Sequence, residues 1–98
     1  MLPAASPFQP PEPQPTACFS VHAAVEPGVM PRVLALFAKR GLVPTSWHSR
    51  VNGGELTIDL QMKGIGGDTA AYIAACLRQV VSVVTVLTYE NRPHGPSR

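Results

Sequence analysis

VEPGVMPRVLALFAKRGL, residues 25–42, decides how the chain folds. It opens as the end of an alternating strand, turns at Pro27-Gly28, and passes at once into an apolar segment. Met30, Val33, Leu34 and Phe37 recur at the spacing of one helix face, with Arg32, Lys39 and Arg40 mostly off it. Pro31 falls in the first turn, where backbone amides lack intrahelical partners, so its missing N–H does little harm. Gly41 stands where a helix C-terminus takes a left-handed residue. The spacing predicts a helix over 29–40 entered directly from a strand. Junctions of this kind often hold phosphate, but the glycine pattern of a phosphate loop is missing here.

The flanking segments supply the partners such a helix needs. CFSVHAAV (18–25) alternates, with Phe19, Val21, Ala23 and Val25 on one side and Cys18, Ser20, His22 and Ala24 on the other. LVPTSWHSRV (42–51) reads as a second strand, with Val43, Thr45, Trp47, Ser49 and Val51 on one face. Asn52-Gly53-Gly54 is a hairpin signal, because Asn and Gly tolerate positive φ. ELTIDLQM (55–62) turns Leu56, Ile58, Leu60 and Met62 inward and Glu55, Thr57, Asp59 and Gln61 outward. KGIGGD then leads to Asp68 as N-cap of a second helix over 69–80, with Ala70, Ile73, Leu77 and Val80 inward. SVVTVLTY (82–89) is rich in β-branched residues and reads as the last strand.

The order β-α-β-β-α-β with two amphipathic helices predicts an α+β, ferredoxin-like sandwich. Both helices cover one face of a four-stranded antiparallel sheet. The other face carries Ser20, His22, Ser46, His48, Thr57, Asp59 and Gln61, and is expected to include Val84 and Val86. A half-apolar open face in a small domain usually finds a partner, often a second copy.

Composition sets outer limits. The 98 residues suffice for one small domain, and 45% of them are apolar. Formal charge is +2, and the Lys and Arg residues are scattered, with no basic stripe, which argues against nucleic acid as the main partner. Two cysteines without CxxC and three histidines far apart in sequence argue against a zinc knuckle, a thioredoxin-type site or a disulfide framework. Six of the eleven prolines fall in residues 1–16, and Pro93 and Pro96 lie near the other end. Residues 1–16 and 91–98 are therefore expected to be tails, with a domain over 17–90 between them. The first of these could serve as a polyproline II ligand or be a solvated leader. It has neither a basic nor an apolar signal region, and no run of the sequence reaches membrane-spanning length, so a cytoplasmic protein is expected.

Several users of this fold class do not fit. RNA recognition needs stacking aromatics on the central strands, where the third strand offers Leu, Ile, Asp and Gln. A soft-metal chaperone needs two thiols in the first loop, and AVEPGVM has none. An acylphosphatase-like enzyme needs an anion loop with an Arg and a water-positioning Asn, and nothing in the sequence places Arg32 beside Asn52. Ser20, His22 and Asp59 can share a sheet face, but not at a recognised triad spacing. GIGG (64–67) lacks the residues that complete a phosphate loop and reads as a connection.

The opening stretch, its acid-x-Gly turn, the RV-x-x-x-F helix ending in Arg-Gly, and the closing VVSVVTVLTYE together resemble an ACT domain over residues 18–90. The pattern is closest to the small regulatory subunits of acetohydroxyacid synthase (acetolactate synthase), and a single short module is most similar to the isozyme-II type. The resemblance implies a non-catalytic, dimeric regulatory subunit in branched-chain amino-acid biosynthesis. Its partner would be an acetolactate synthase catalytic subunit, which would hold the thiamine diphosphate; the chain itself would need no cofactor and no metal. It also implies a small amino acid as effector, bound at Glu26, Pro27, Gly28, Val29 and Met30, where glycine lets a ligand approach and helix-start amides can receive a carboxylate. One departure concerns valine. Valine-sensing subunits carry a Gly-aromatic-Asn pattern after the first helix, where this chain has Gly41, Leu42 and Val43. Val43 cannot hydrogen-bond an effector and Pro44 removes an amide, so activation without the usual valine feedback is expected. The alternative is a standalone ACT-type amino-acid sensor acting on another protein.

Overall fold

The computed structural model describes residues 15–91. Its elements are β1 (Thr16–Ala24), α1 (Val29–Ala38), β2 (Ser46–Asn52), β3 (Glu55–Lys63), α2 (Gly67–Leu77) and β4 (Val83–Asn91). The strands form one antiparallel sheet in the order β2-β3-β1-β4, the ferredoxin-like arrangement expected from the sequence. The tails expected at 1–16 and 91–98 lie outside the described residues except at Pro15, Thr16 and Asn91. Thr16 and Asn91 pair with each other at the end of the β1–β4 ladder.

Alternation in the two central strands builds the floor of the core. Ala17, Phe19, Val21 and Ala23 of β1 stand opposite Met62, Leu60, Ile58 and Leu56 of β3, and all eight are buried. Val29, Val33, Leu36 and Phe37 of α1 and Ile73, Ala74 and Leu77 of α2 close over them. Phe37 meets Phe19 edge to face at 6.1 Å between ring centroids, a geometry aromatic quadrupoles favour.

Local chemistry explains where elements stop and where they depart from expectation. The buried stripe of α1 is 29/33/36/37, with Met30 half-buried against the core; of the residues the sequence pattern placed inward, Leu34 is turned out and 46% exposed. Residues 34–37 are four consecutive apolar residues, so periodicity there could not choose between Leu34 and Leu36. The helix closes two residues earlier than expected. Gly41 takes φ +69°, its amide bonds to Ala38 O, and the Leu42 amide reaches back to Phe37 O, a Schellman closure. Leu42 thereby belongs to the cap, and β2 starts at Ser46 rather than 42. Asn52 pairs with Glu55 across a two-residue hairpin with positive φ at Gly53, its first loop position. Asp68 is not the N-cap of α2. Gly66 is, and Asp68 sits in the first turn, where the helix dipole favours an acid.

Strand four carries the main correction. Val86 faces the helices and is buried, while Leu87 and Tyr89 stand on the open face beside Ser20 and Cys18. The β1–β4 register shifts between His22 and Ala23, and the β-branched run 83–86 has no alternation that would reveal its facing. Val25 also falls outside β1 and is 47% exposed. Cys18 is buried although it lies on the open face.

Candidate functional site

The turn expected to receive an effector spans the exit of β1 and the first turn of α1. Its residues have different fates. Glu26 and Pro27 are exposed, Gly28 and Met30 are half-buried, and Val29 is sealed in the core. Val29 can therefore offer only its amide, which already donates to Glu26 O at 3.2 Å. The Arg32 amide donates to Gly28 O, and Pro31 has no N–H. Among the described residues, the amides of Gly28 and Met30 have no backbone acceptor. They are what this turn can present to a carboxylate. Glycine at 28 leaves room for the Arg32 guanidinium: a Cβ placed there would lie 2.8 Å from its Nη1.

The sequence did not point to Ser82. It takes φ 76°, unusual for a residue with a side chain. Its carbonyl accepts from the Ala24 amide at 2.9 Å, and its hydroxyl donates to Glu26 Oε1. The α2–β4 connection thus straps the end of β1 and fixes the first acid of the turn. No local motif announces this contact, which depends on the fold bringing residues 26 and 82 together.

The open sheet face gathers Ser20, His22, Thr57, Asp59, Ser46, His48 and Gln61 as expected. Within it, Ser20 Oγ lies 3.2 Å from His22 Nε2, and His22 Nδ1 lies 3.1 Å from Glu55 Oε2. The carboxylate beside His22 is Glu55, not Asp59, which accepts from Arg50 at 3.2 Å. His22 and His48 do not sit on neighbouring strands, because β3 lies between β1 and β2. The Ser-His-Glu line has the order of a nucleophile, base and orienter. It occupies a central strand whose backbone is paired on both sides, so no amide around Ser20 is free to form an oxyanion hole. The arrangement is a hydrogen-bonded surface network. On the same face, the phenol of Tyr89 is pushed above its ordinary value of 10.0, chiefly by the neighbouring Cys18 sulfur, then by partial desolvation and Asp59.

A cleft of about 170 Å³ opens at the start of α2, lined mainly by Ala17, Ile65, Gly66, Ala70, Tyr89 and Glu90. None of the five turn residues contributes to it. Among the described residues, no group of three or more His, Cys, Asp or Glu could hold a metal ion.

A family model described as "ACT-like domain" matches residues 12–94. Among solved structures, the ACT domain from GTP pyrophosphokinase of Chlorobium tepidum superposes with a TM-score of 0.68 at 17% identity, covering 78% of this chain and 99% of that one. The C-terminal domain of the MgtC protein from Mycobacterium tuberculosis gives 0.63 at 15% identity, with 87% and 95% covered. A formyltetrahydrofolate deformylase from Pseudomonas putida gives 0.59 at 16% identity, with 80% of this chain and 29% of that one covered. At these identities the likeness is one of fold. No curated protein matches the sequence.

Proposed function

We propose, from the premise that this chain belongs to the ACT-like domain family, that it is a non-catalytic regulatory subunit of acetolactate synthase. It binds the thiamine-diphosphate-dependent catalytic subunit and raises its activity in branched-chain amino-acid biosynthesis. The observation that carries a regulatory role in trans is the apolar strip that edge strand β4 leaves exposed among the described residues. Val84, Leu87 and Tyr89 are 77%, 57% and 63% exposed there. A small domain that leaves such a strip open offers it to another protein or a second copy. The choice of catalytic subunit follows the sequence likeness over 25–42 and 80–90. Binding the productive conformation of that subunit better than the idle one shifts its population, which is the whole of the activation mechanism.

Homodimerisation, with a small amino acid at the Glu26–Met30 turn, is part of the same proposal. The amides of Gly28 and Met30 suit a carboxylate, and Glu26 supplies a charge near an ammonium group. The Val43 side chain, at a position 78% exposed, has no hydrogen-bonding group and Pro44 has no amide, which supports activation without the usual valine feedback.

The test is co-expression with the acetolactate synthase catalytic subunit of the same source, followed by co-purification and a rate of acetolactate formation with and without this chain. Association with a raised rate, insensitive to added valine, is the expected result. No association and no change in rate overturns this partner. The same chain would then be screened with amino acids by thermal shift, the test of a standalone sensor acting on another protein.

A further inference from the structure

We infer that the groove between α1 and α2 is a binding site for a small organic phosphate carrying two or more phosphoryl groups. The groove is an open depression of about 370 Å³, with Arg32, Lys39 and Arg40 at its rim and Leu36, Cys76 and Val80 toward its floor. That volume is in the range of small-molecule sites. The inference does not rest on the regulatory reading, although Arg32, at one end of the groove, folds against Gly28 of the candidate effector turn.

Three observations lead there. The first is charge. Arg32 and Lys39 are seven residues apart, so they lie on one side of α1, roughly 10 Å apart along its axis, with Arg40 next to Lys39. All three cations border the groove, and among the described residues no carboxylate pairs with any of them. Three acids are engaged elsewhere: Glu55 with His22, Asp59 with Arg50, and Glu26 with Ser82.

The second is preorganisation. An unneeded surface arginine extends into water, but Arg40 is held. Its Nη1 donates to Leu36 O at 2.9 Å, and Nη2 donates to Tyr72 Oη at 3.2 Å and Cys76 Sγ at 3.5 Å. The guanidinium also lies 5.1 Å from the Tyr72 ring centroid. Three of its N–H donors are committed in these contacts, which leaves about two of the five that a guanidinium carries to meet a ligand. A guanidinium already held in place can give its remaining N–H groups to phosphoryl oxygens as single charge-assisted bonds with little further loss of entropy.

The third is Arg32. Its guanidinium folds back against Gly28 at the start of α1, with no acid in the first turn to receive it. A cation at the positive end of a helix is unfavourable on its own. An anion between that guanidinium and the groove removes the conflict. Charge number selects the ligand class. Three cations match a molecule with three or more negative charges, which a bisphosphate carries and a dicarboxylate does not. The elongated row suits two anionic groups set apart, and Leu36 and Val80 offer an apolar wall to the carbon chain between them.

The experiment uses the full chain and fructose 1,6-bisphosphate as probe, with fructose, hexaglutamate and inorganic sulfate as comparators. Amide resonances of α1 and α2 are followed by NMR titration, and alkylation of Cys76 is followed in parallel; Cys18 is buried, so the faster reaction reads Cys76. The bisphosphate is expected to shift these amides saturably and to slow alkylation, and fructose to do neither. Lys39→Gln and Arg32→Gln, both at exposed positions, are each expected to weaken binding about tenfold, the loss of one charge-assisted contact. Arg40→Gln is the third variant, and its spectrum without ligand reports whether α1 and α2 still pack. Absence of saturation by ~10 mM bisphosphate, equal effects from sulfate, or unchanged affinity in the Lys39 and Arg32 variants would each overturn the proposal. Protection of Cys76 by hexaglutamate but not by the bisphosphate would overturn it in favour of an acidic protein segment.

Discussion

At the scale of single residues, two glycines and one tyrosine make separable claims. Gly41 and Gly28 both flank α1, yet they are glycine for different reasons. Gly41 takes φ +69° with open space around it, so a methyl group meets no atom but the backbone is strained. Gly41→Ala is expected to cost about 1–2 kcal/mol of folding free energy, measured by urea unfolding. Gly28 has ordinary backbone angles, φ −79° and ψ −9°, and its added Cβ would meet only the flexible end of Arg32. Gly28→Ala should change stability by less than about 0.5 kcal/mol, because the guanidinium can swing away. It should still weaken occupancy of the α1–α2 groove, since Arg32 would move. Equal destabilisation by both substitutions would show that backbone strain does not distinguish them. Tyr89 tests the open face. Its raised phenol is expected to titrate above 10.0 in a Tyr72→Phe background followed by phenolate absorbance, and to fall back toward 10.0 when Cys18→Ser removes the largest cause. The sign for stability follows from linkage. A folded-state value raised above the unfolded one leaves stability intact below pH 10.0 and erodes it as pH climbs toward the folded value. A Tyr89 titration indifferent to Cys18 would refute the assigned cause.

At the scale of elements, α1 shows what a sequence pattern can and cannot decide. The helix itself was legible, since Pro31 and Gly41 bracket it and apolar residues recur between them. Which face it buries was not, because Val29 precedes the proline and Leu34 to Phe37 run without a polar break. The resulting prediction is a contrast within one helix. Val29→Ala, at a fully buried site, should cost about 2 kcal/mol, while Leu34→Ala should cost less than about 0.5 kcal/mol. Thermal or urea unfolding of the two variants checks it, and the reverse order would restore the 30/34 stripe. Strands β1 and β3 were readable for a different reason. Each buries its helix-facing side throughout and, on the other side, only Cys18 in β1 and Thr57 in β3, so a period of two survives in the letters. Strand β4 has a register shift opposite His22 and β-branched residues on both sides, and its facing emerges only once β1 is beside it. The candidate site divides the same way. Glu26 to Met30 are contiguous, and a turn with a glycine can be seen in one line of sequence. Ser82 and Glu55 join Glu26 and His22 across 56 and 33 residues, and only the assembled sheet brings them together.

At the scale of the whole molecule, the two faces of the domain divide its chemistry. The helix face carries a row of cations with which no carboxylate pairs among the described residues, while the sheet face carries acids already paired with His22 and Arg50, and its edge strand β4 exposes Val84, Leu87 and Tyr89. If β4 is where another chain docks, charge there should abolish association without harming the fold. Val84 and Leu87 are 77% and 57% exposed, so replacing both with lysine removes little from the core. Lysine on an edge strand is also the device by which sheets resist pairing with further strands. The double variant Val84→Lys, Leu87→Lys is therefore expected to melt close to the parent. It should lose both concentration-dependent sedimentation and co-purification with the catalytic subunit. The helix-face groove should be untouched, so the bisphosphate titration of the same variant supplies an internal control of folding. Association that survives both lysines would move the docking surface away from β4, and the turn at Glu26–Met30 would become the place to look for it. Loss of association together with loss of bisphosphate binding would mean the variant no longer folds, and a single lysine at Val84, the more exposed position, would then decide the matter.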